Sequence, residues 1–275
     1  MERTATGPVA PALPADSPLP GGVVVADLLD GMPAPRAALA GAADVRKAVD
    51  TTGTAQAVAV APVVRRPPSA LPARLGRLVP TPVGTPFTFG YATLLAVTSV
   101  IAMVADPALV HALYRDSSTD VFHLACSPVT VLVASALWIA GGMVSPYAFA
   151  FVLVLTALER RIGGARAAAV FLSGHILATL ATEVPVGLAV ALGHLPLTSL
   201  HRLDYGISFG VAASTGALAG LLTPWLRWPL LVSVAGLLLD DLAAFTDPMT
   251  DWGHLIALTI GVLAWPLVRR WQRRA

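Results

Sequence analysis

A serine and a histidine, each close to an acidic residue, are the side chains of this chain best suited to chemistry. Ser208 lies four residues after Asp204, and His254 lies three residues after Asp251, near the starts of two long apolar segments. A serine hydroxyl becomes a nucleophile when a neighbouring imidazole accepts its proton. The spacing therefore predicts a nucleophile and a base at similar depths on two different helices.

Small residues accompany both side chains at helical spacing. One stripe runs through Ser208, Ala212, Gly216 and Gly220, and the other through Gly253, Ala257 and Gly261. Stripes of this kind allow transmembrane backbones to approach each other closely. They also occur in membrane helices without a catalytic role, and serine often bonds the backbone of its own helix, so a purely structural role stays open.

The composition indicates the environment of these helices. The chain has 275 residues, of which 56% are hydrophobic and 12% are charged, with a mean hydropathy of +0.73. Soluble domains are about 45–50% apolar and about 25% charged. The composition therefore excludes an ordinary cytosolic enzyme, a nucleic-acid-binding protein and a disordered scaffold. It predicts several spans in a lipid bilayer.

The sequence gives no indication of a cofactor. Cys126 is the single cysteine, which excludes an intrachain disulfide and a zinc site of the multi-cysteine kind. The sequence contains no phosphate-binding loop, dinucleotide fingerprint or metal-ligand motif. We therefore expect neither a cofactor nor a metal, and we interpret Cys126 as an apolar filler.

The chain divides into two parts of different composition. Most of the 23 prolines fall within the first 86 residues, among Ala, Gly and Thr. This composition predicts a disordered cytoplasmic tail over residues 1–85, with a short Ala-rich helix around 37–49 as the alternative. Residues 86–271 are apolar enough to form one membrane domain.

Six apolar segments have nearly the length of a membrane-spanning helix, which is about 20 residues. They are residues 87–105, 143–159, 167–184, 206–223, 228–244 and 252–268. A seventh segment, 128–140, is shorter and begins with Pro128, so we expect it to be re-entrant or interfacial.

The charges between the segments indicate the orientation. With six spans, every arginine cluster lies on one side of the membrane and every acidic loop on the other, and a seventh span would separate the arginine clusters. Arginine clusters mark the cytoplasmic side. The sequence thus predicts an all-α polytopic membrane protein of six transmembrane helices in the plasma membrane, with both termini cytoplasmic. Its Ala- and Arg-rich usage suggests a bacterial origin.

Other polar residues have simpler interpretations. His175 lies in the middle of the third span, where a neutral histidine hydrogen-bonded inside the bundle is favoured over a proton relay. Asp240 and Asp241 are adjacent, and neighbours on a helix do not face each other, so we interpret them as solvated acids rather than a catalytic carboxylate pair. We expect Asp204 or Asp251 to hold the outer loop.

Three motifs in order resemble the rhomboid family of intramembrane serine proteases. Residues 206–209, Gly-Ile-Ser-Phe, resemble the nucleophile motif on the family's fourth helix. Residues 254–261, which begin with His and end with Gly, resemble the base motif on the sixth helix. Residues 159–163, Glu-Arg-Arg-Ile-Gly, resemble the turn between the second and third helices. The resemblance covers residues 87–270 and implies a six-helix rhomboid-like bundle.

The resemblance also implies an activity and its residues. A rhomboid-like endopeptidase would cleave transmembrane or juxtamembrane peptide bonds through a Ser-His dyad, without a cofactor. Ser208 would attack the scissile carbonyl and His254 would accept its proton, with Gly206 and Phe209 lining the site. The implied partner besides the bilayer is a transmembrane protein that serves as substrate or client, and no nucleic acid is expected.

Two departures from the family pattern affect the oxyanion site. Active members carry a histidine and then an asparagine on the second helix, and counting back from Glu159 places residues 142–146 at the histidine position, without either residue. An alternative alignment places His123 there, but His123 is too far from Glu159 for one helix, so it becomes an outer-loop residue able to fold over the site. In addition, Phe209 replaces the usual small residue.

Two other functions remain as alternatives. The departures are also consistent with a catalytically inactive rhomboid-like protein that binds transmembrane helices. A small transporter is a minor alternative that rests on the composition and on His175, and the sequence lacks the internal repeat that many secondary transporters show.

Overall fold

The computed structural model describes residues 78–274, and this part of the chain is helical without strands. The helices are α1 (Pro86–Val104), α2 (Pro107–Asp116), α3 (Val121–Cys126), α4 (Pro128–Ser135), α5 (Pro146–Ile162), α6 (Gly164–Ala191), α7 (Ser208–Ala219), α8 (Pro224–Ala244), α9 (Pro248–Leu263) and α10 (Trp265–Gln272), with a 3₁₀ helix at Leu197–His201. The predicted disordered tail lies outside the described residues except for its last few positions.

Six of these helices, α1 and α5 to α9, form a bundle and alternate in direction. The start of α1 is bonded to Glu159 at the end of α5, and Arg227 near the start of α8 donates to Ala219 O at the end of α7. At the opposite end, Arg202 is bonded to Glu183 of α6 and to Asp247, which caps α9. We call the end with Arg166, Arg227, Arg269 and Arg270 the basic end, and the end with Glu183, Asp204, Asp247 and Asp251 the acidic end.

The turn between α5 and α6 shows why its motif has these residues. Glu159 is 3% exposed and accepts hydrogen bonds from Phe87 N at 3.0 Å, Thr88 N at 2.7 Å and Thr88 Oγ1 at 2.6 Å. The carboxylate therefore caps the first turn of α1, where backbone amides have no partner within the helix. Gly163 follows with φ +86°, a backbone conformation that favours glycine, and it lets α6 begin at once.

Helix α7 is the centre of the bundle, since every residue from Phe209 to Ala219 is buried. A helix that is apolar all round is expected at such a place. Its contact with α9 is backbone to backbone, because a Cβ built on Gly261 would overlap Ala213 O and one built on Gly216 would overlap Leu258 O. A Cβ on Gly174 of α6 would overlap Ala213 Cβ in the same way. The small-residue stripes thus form the close helix contact that the sequence predicts.

Fewer helices are long and apolar enough to cross a membrane than the six segments predicted from the sequence. Within residues 78–274, α1 and α6 are long and apolar enough to cross a membrane, and a third span is reached when α9 and α10, bent by 48°, are taken as one. The predicted fourth span, 206–223, contains the 12-residue α7, because residues 206 and 207 pair with a loop and the helix ends before Pro224. The sequence therefore overestimated the length of this helix.

The predicted outer loop contains α2, α3 and α4. Helix α4 has eight residues, or about 12 Å of length, which is too short to cross about 30 Å of hydrocarbon. This agrees with the expectation that 128–140 does not span. Cys126 at the end of α3 is exposed, so the interpretation as an apolar filler was wrong. No residue of the short α3 is buried, so this helix contributes none to the core.

Candidate active site

The start of α7 is fixed by hydrogen bonds to the end of α4 and to the segment that follows α4. Gly206 has φ +123° and donates its N–H to Ser135 O at 3.0 Å, and Ile207 donates to Trp138 O at 3.2 Å. Because Gly206 has a backbone conformation outside the helical region, α7 begins after it, at Ser208, and the amides of its first turn have no carbonyl partner within the helix. Gly206 therefore positions Ser208 by its backbone, and its own N–H is not available to a ligand.

Ser208 is half-buried, and its hydroxyl forms no hydrogen bond with another described residue. The serine does not bond the carbonyls of its own helix, unlike Thr215 about two turns further along the same face, whose Oγ1 donates to Val211 O at 2.8 Å. The structural alternative for Ser208, a hydroxyl bonded back to its own helix, is thus not what the structure shows. The hydroxyl lies at the positive end of α7, where negative charge is stabilised.

His254 is buried, with 5% of its surface exposed, and aromatic rings hold it in place. Tyr147 of α5 stacks on the imidazole with ring centroids 5.2 Å apart, and Phe209 meets its edge with centroids 5.3 Å apart. Tyr147 Oη lies 3.5 Å from His254 Nδ1. Within the described residues, His254 Nε2 has no hydrogen-bond partner.

The predicted nucleophile and base are therefore on helices in close contact, but no hydrogen bond joins them in this structure. Phe209 occupies part of the space beside the imidazole, and a Cβ built on Gly253 would overlap its ring. Gly253 thus provides the room for Phe209 between α7 and α9. The dyad of Ser208 and His254 stays a prediction.

Of two further residues, the predicted His123 lies away from His254, whereas Tyr147, which was not predicted, contacts it. His123 lies in α3, where its Nδ1 is 2.9 Å from both carboxylate oxygens of Asp120, and no hydrogen bond or ring contact joins it to Ser208 or His254. Tyr147, by contrast, contacts the histidine and was missed by the sequence analysis. The signal was its position directly after residues 142–146, where the family pattern places polar side chains on the second helix.

Charged side chains at the acidic end hold the segment before α7. Arg202 Nη2 lies 2.5 Å from Glu183 Oε1 and 3.3 Å from Asp204 Oδ2, and its Nη1 lies 3.4 Å from Asp247 Oδ1. Asp204 O accepts from Thr119 N at 2.8 Å. Burial raises the pKa of the Asp204 carboxyl, and the Arg202 guanidinium opposes that rise. Asp204 thus ties the outer loop to the start of α7, as expected.

A second serine–histidine pair is buried inside the bundle. Ser135 Oγ of α4 is 3.1 Å from His175 Nε2 of α6, and the same nitrogen is 3.2 Å from Leu132 O. Both side chains are buried, with 0% and 2% of their surfaces exposed. His175 is therefore a hydrogen-bonded histidine inside the bundle, as predicted, and it attaches the short α4 to α6.

The described residues contain no group of three or more His, Cys, Asp or Glu arranged to hold a metal ion. No curated protein and no solved structure matches the chain. The model of one family, described as rhomboid-like protein, matches residues 83–274. Since this match covers more than half of the sequence, the chain belongs to the rhomboid-like protein family.

Proposed function

We propose that this membrane protein is a six-span serine endopeptidase that cleaves transmembrane or juxtamembrane peptide bonds with Ser208 as nucleophile and His254 as base. The alternating directions of α1 and α5 to α9 support six crossings. Arginines gather at one end of the bundle and acids at the other, so the basic end lies in the cytoplasm by the positive-inside rule. Both termini of the membrane domain are then cytoplasmic, in the plasma membrane.

The short α7 supports a site within the membrane. Twelve residues give a helix of about 18 Å, against about 30 Å of hydrocarbon. With its last residue at the basic end, α7 brings Ser208 to a depth below the outer surface. Irregular backbone is tolerated at that depth only where protein satisfies it, and the bonds of Gly206 and Ile207 to Ser135 O and Trp138 O do so.

The observation that carries the proposal is the unpartnered Nε2 of the buried His254, on the helix in closest contact with the one that Ser208 begins. Buried polar atoms are normally hydrogen-bonded, and an exception requires an explanation. A base waiting for a proton provides one, because its hydrogen bond to the nucleophile often tightens only when substrate is bound.

The chemistry then follows from the side chains and the first turn of α7. Ser208 Oγ attacks the scissile carbonyl carbon while its proton passes to His254 Nε2, which returns it to the leaving amine. Water hydrolyses the resulting ester by the same route in reverse. The free amides of the first turn of α7 face the negative charge that develops on the carbonyl oxygen, which such donors stabilise in a site of low dielectric. Tyr147 holds the imidazole by stacking.

A second candidate function is supported by different observations. The rings of Phe209 and Tyr147 pack against His254, and no hydrogen bond links the histidine to Ser208. The family includes inactive members. A catalytically inactive protein that binds a transmembrane client through the same bundle would have no use for that hydrogen bond.

The two functions differ in what Ser208→Ala does. Membranes that contain the wild-type chain, Ser208→Ala or Ser214→Ala are compared by mass spectrometry for new peptide termini within or beside transmembrane segments. Ser214 is a matched control because it lies in the same helix, is fully buried and has an unpartnered hydroxyl. The protease predicts such termini with wild type and Ser214→Ala only. Client binding that persists in all three, without new termini, would support the second function.

A further inference from the structure

Two arginines at the basic end, Arg227 of α8 and Arg269 of α10, both lie over the ring of Trp265. The guanidinium carbon of Arg227 lies 5.1 Å from the Trp265 ring centroid, and that of Arg269 lies 5.0 Å from it. Both side chains also donate to the same carbonyl oxygen, Gly220 O, from Arg227 Nη2 at 3.4 Å and from Arg269 Nε at 3.0 Å. Two positive charges are therefore held close together.

Hydrogen bonds to backbone carbonyls use only some of the N–H donors of these two arginines. Arg227 also donates to Ala219 O and Leu222 O, so it completes the C-terminal end of α7, where carbonyls lack partners. The Nη atoms of Arg269 make no hydrogen bond with a described residue. Neither arginine forms a salt bridge within residues 78–274, and Glu159, the buried acid of this end, is already bonded to the start of α1.

Exposed apolar side chains are found on the helices that carry the pair and on the neighbouring α9. Trp225 and Trp228 are 58% and 57% exposed, and Leu263 and Leu267 are also exposed. Tryptophans with one polar edge are enriched at the boundary between hydrocarbon and headgroups. The arginine pair thus lies at an end of the bundle where the same helices carry exposed apolar side chains suited to contact with acyl chains.

We propose that Arg227 and Arg269 bind the phosphate of an anionic phospholipid from the adjoining leaflet. The two Nη atoms of Arg269 are a pair of donors that matches two phosphate oxygens, and basic sites between transmembrane helices bind acidic headgroups. Arg227 adds positive charge beside them, because its Nε and Nη2 are bonded to backbone carbonyls. The neighbouring Arg270 adds positive charge without competing contacts from an acid. The exposed tryptophans and leucines favour a lipid over free phosphate, because they offer contact to its chains.

The bound lipid would stabilise one particular part of the protein. Arg227 belongs to α8, Arg269 to α10, and both bond the end of α7. A phosphate between them would neutralise the two charges and fix these three helices at their basic ends. This inference concerns the end of the bundle remote from Ser208 and does not depend on proteolysis.

The test uses the full chain, purified in a zwitterionic detergent. Native mass spectrometry counts bound phosphatidylglycerol or phosphatidylcholine, and thermal unfolding is followed with each lipid and with inorganic phosphate. Phosphatidylglycerol should bind and raise Tm, whereas phosphatidylcholine and inorganic phosphate should not. An equal effect of phosphatidylcholine, or a Tm rise with inorganic phosphate alone, would overturn the proposal.

Variants separate a specific site from general positive charge. Arg269→Gln should weaken phosphatidylglycerol binding about tenfold, as expected when hydrogen bonds to a charged group are lost. Arg274→Gln, at an exposed arginine beyond the end of α10, should leave it unchanged. Equal weakening by both variants would refute the site. Arg269→Lys, which keeps the charge but not the paired donors, provides a folded variant with expected weaker binding if Arg269→Gln does not fold.

Discussion

The bundle contains two serine–histidine pairs that differ in their bonding. Ser135 and His175 are 3.1 Å apart, fully buried, and join α4 to α6. Ser208 and His254 lie on helices in closer backbone contact, yet no hydrogen bond joins them, and the nearest polar contact of the histidine is Tyr147 Oη at 3.5 Å. The same two residue types thus occur once as a bonded pair and once as an unbonded one.

The difference lies in what each imidazole can do with a proton. His175 Nε2 lies 3.2 Å from Leu132 O, a group that only accepts, so this nitrogen carries the hydrogen and is unable to take one from Ser135. His254 Nε2 faces no such carbonyl. Each imidazole has one buried nitrogen without a partner among the described residues, Nδ1 in His175 and Nε2 in His254. In His175 the nitrogen beside Ser135 is the one bonded to Leu132 O, so it is not free to take the serine proton. The backbone around the histidine therefore distinguishes the pairs.

The largest expected effect contrasts the two histidines. His254→Ala should lower the formation of new termini about 10²–10⁴-fold through loss of the base. His175→Ala should keep activity per folded molecule but reduce stability by about 1–3 kcal/mol, because Ser135 loses its partner. Quantitative mass spectrometry at equal amounts of folded protein measures the first, and thermal unfolding the second. Activity that survives His254→Ala at wild-type level would remove the distinction.

The close contact of α7 and α9 offers the next test. Gly261→Leu should cost about 1–3 kcal/mol of stability or more, because its side chain would overlap Ala213 O and force the helices apart. Gly236→Leu in α8 is the matched control, since a Cβ there meets no atom within 4 Å. We expect Gly261→Leu, and not Gly236→Leu, to lower both Tm and activity. Equal effects of the two would show that the glycine contact does not position the pair.

The two serine–histidine pairs should also differ in the coupling energy between their side chains, which is a smaller effect. A double-mutant cycle between Ser135→Ala and His175→Ala should give a coupling energy of about 1 kcal/mol, the size of one net hydrogen bond. The cycle between Ser208→Ala and His254→Ala should give a coupling near zero in the free protein. Chemical denaturation in mixed micelles supplies the four free energies of each cycle. Comparable coupling in both cycles would contradict the unbonded state of the second pair.

Much of the fold was predictable from local pattern. The apolar segments, the arginine clusters and the small-residue stripes depend on composition and spacing, and they anticipated the helices, the alternation and the contact of α7 with α9. The turn at residues 159–163 was recognised by its motif, and the structure supplies the reason in the capping of α1 by Glu159.

The candidate site was less predictable because it depends on contacts distant in sequence. Tyr147 reaches His254 from a residue 107 positions away, and no period along the chain indicates that meeting. The length of α7 depends on the loop that bonds Gly206 and Ile207, which makes the helix shorter than the apolar segment 206–223. Cys126 was misassigned because an apolar residue type does not indicate whether its short helix packs into the core, and no residue of α3 is buried.

The most direct test of the account is the identity of the serine that a fluorophosphonate modifies. The full chain in lipid is labelled, digested and examined by mass spectrometry, with Ser208→Ala as control. We expect modification of Ser208, none of Ser135, and loss of label in Ser208→Ala. Modification of Ser135 in place of Ser208, or equal labelling of the wild-type chain and Ser208→Ala, would contradict it.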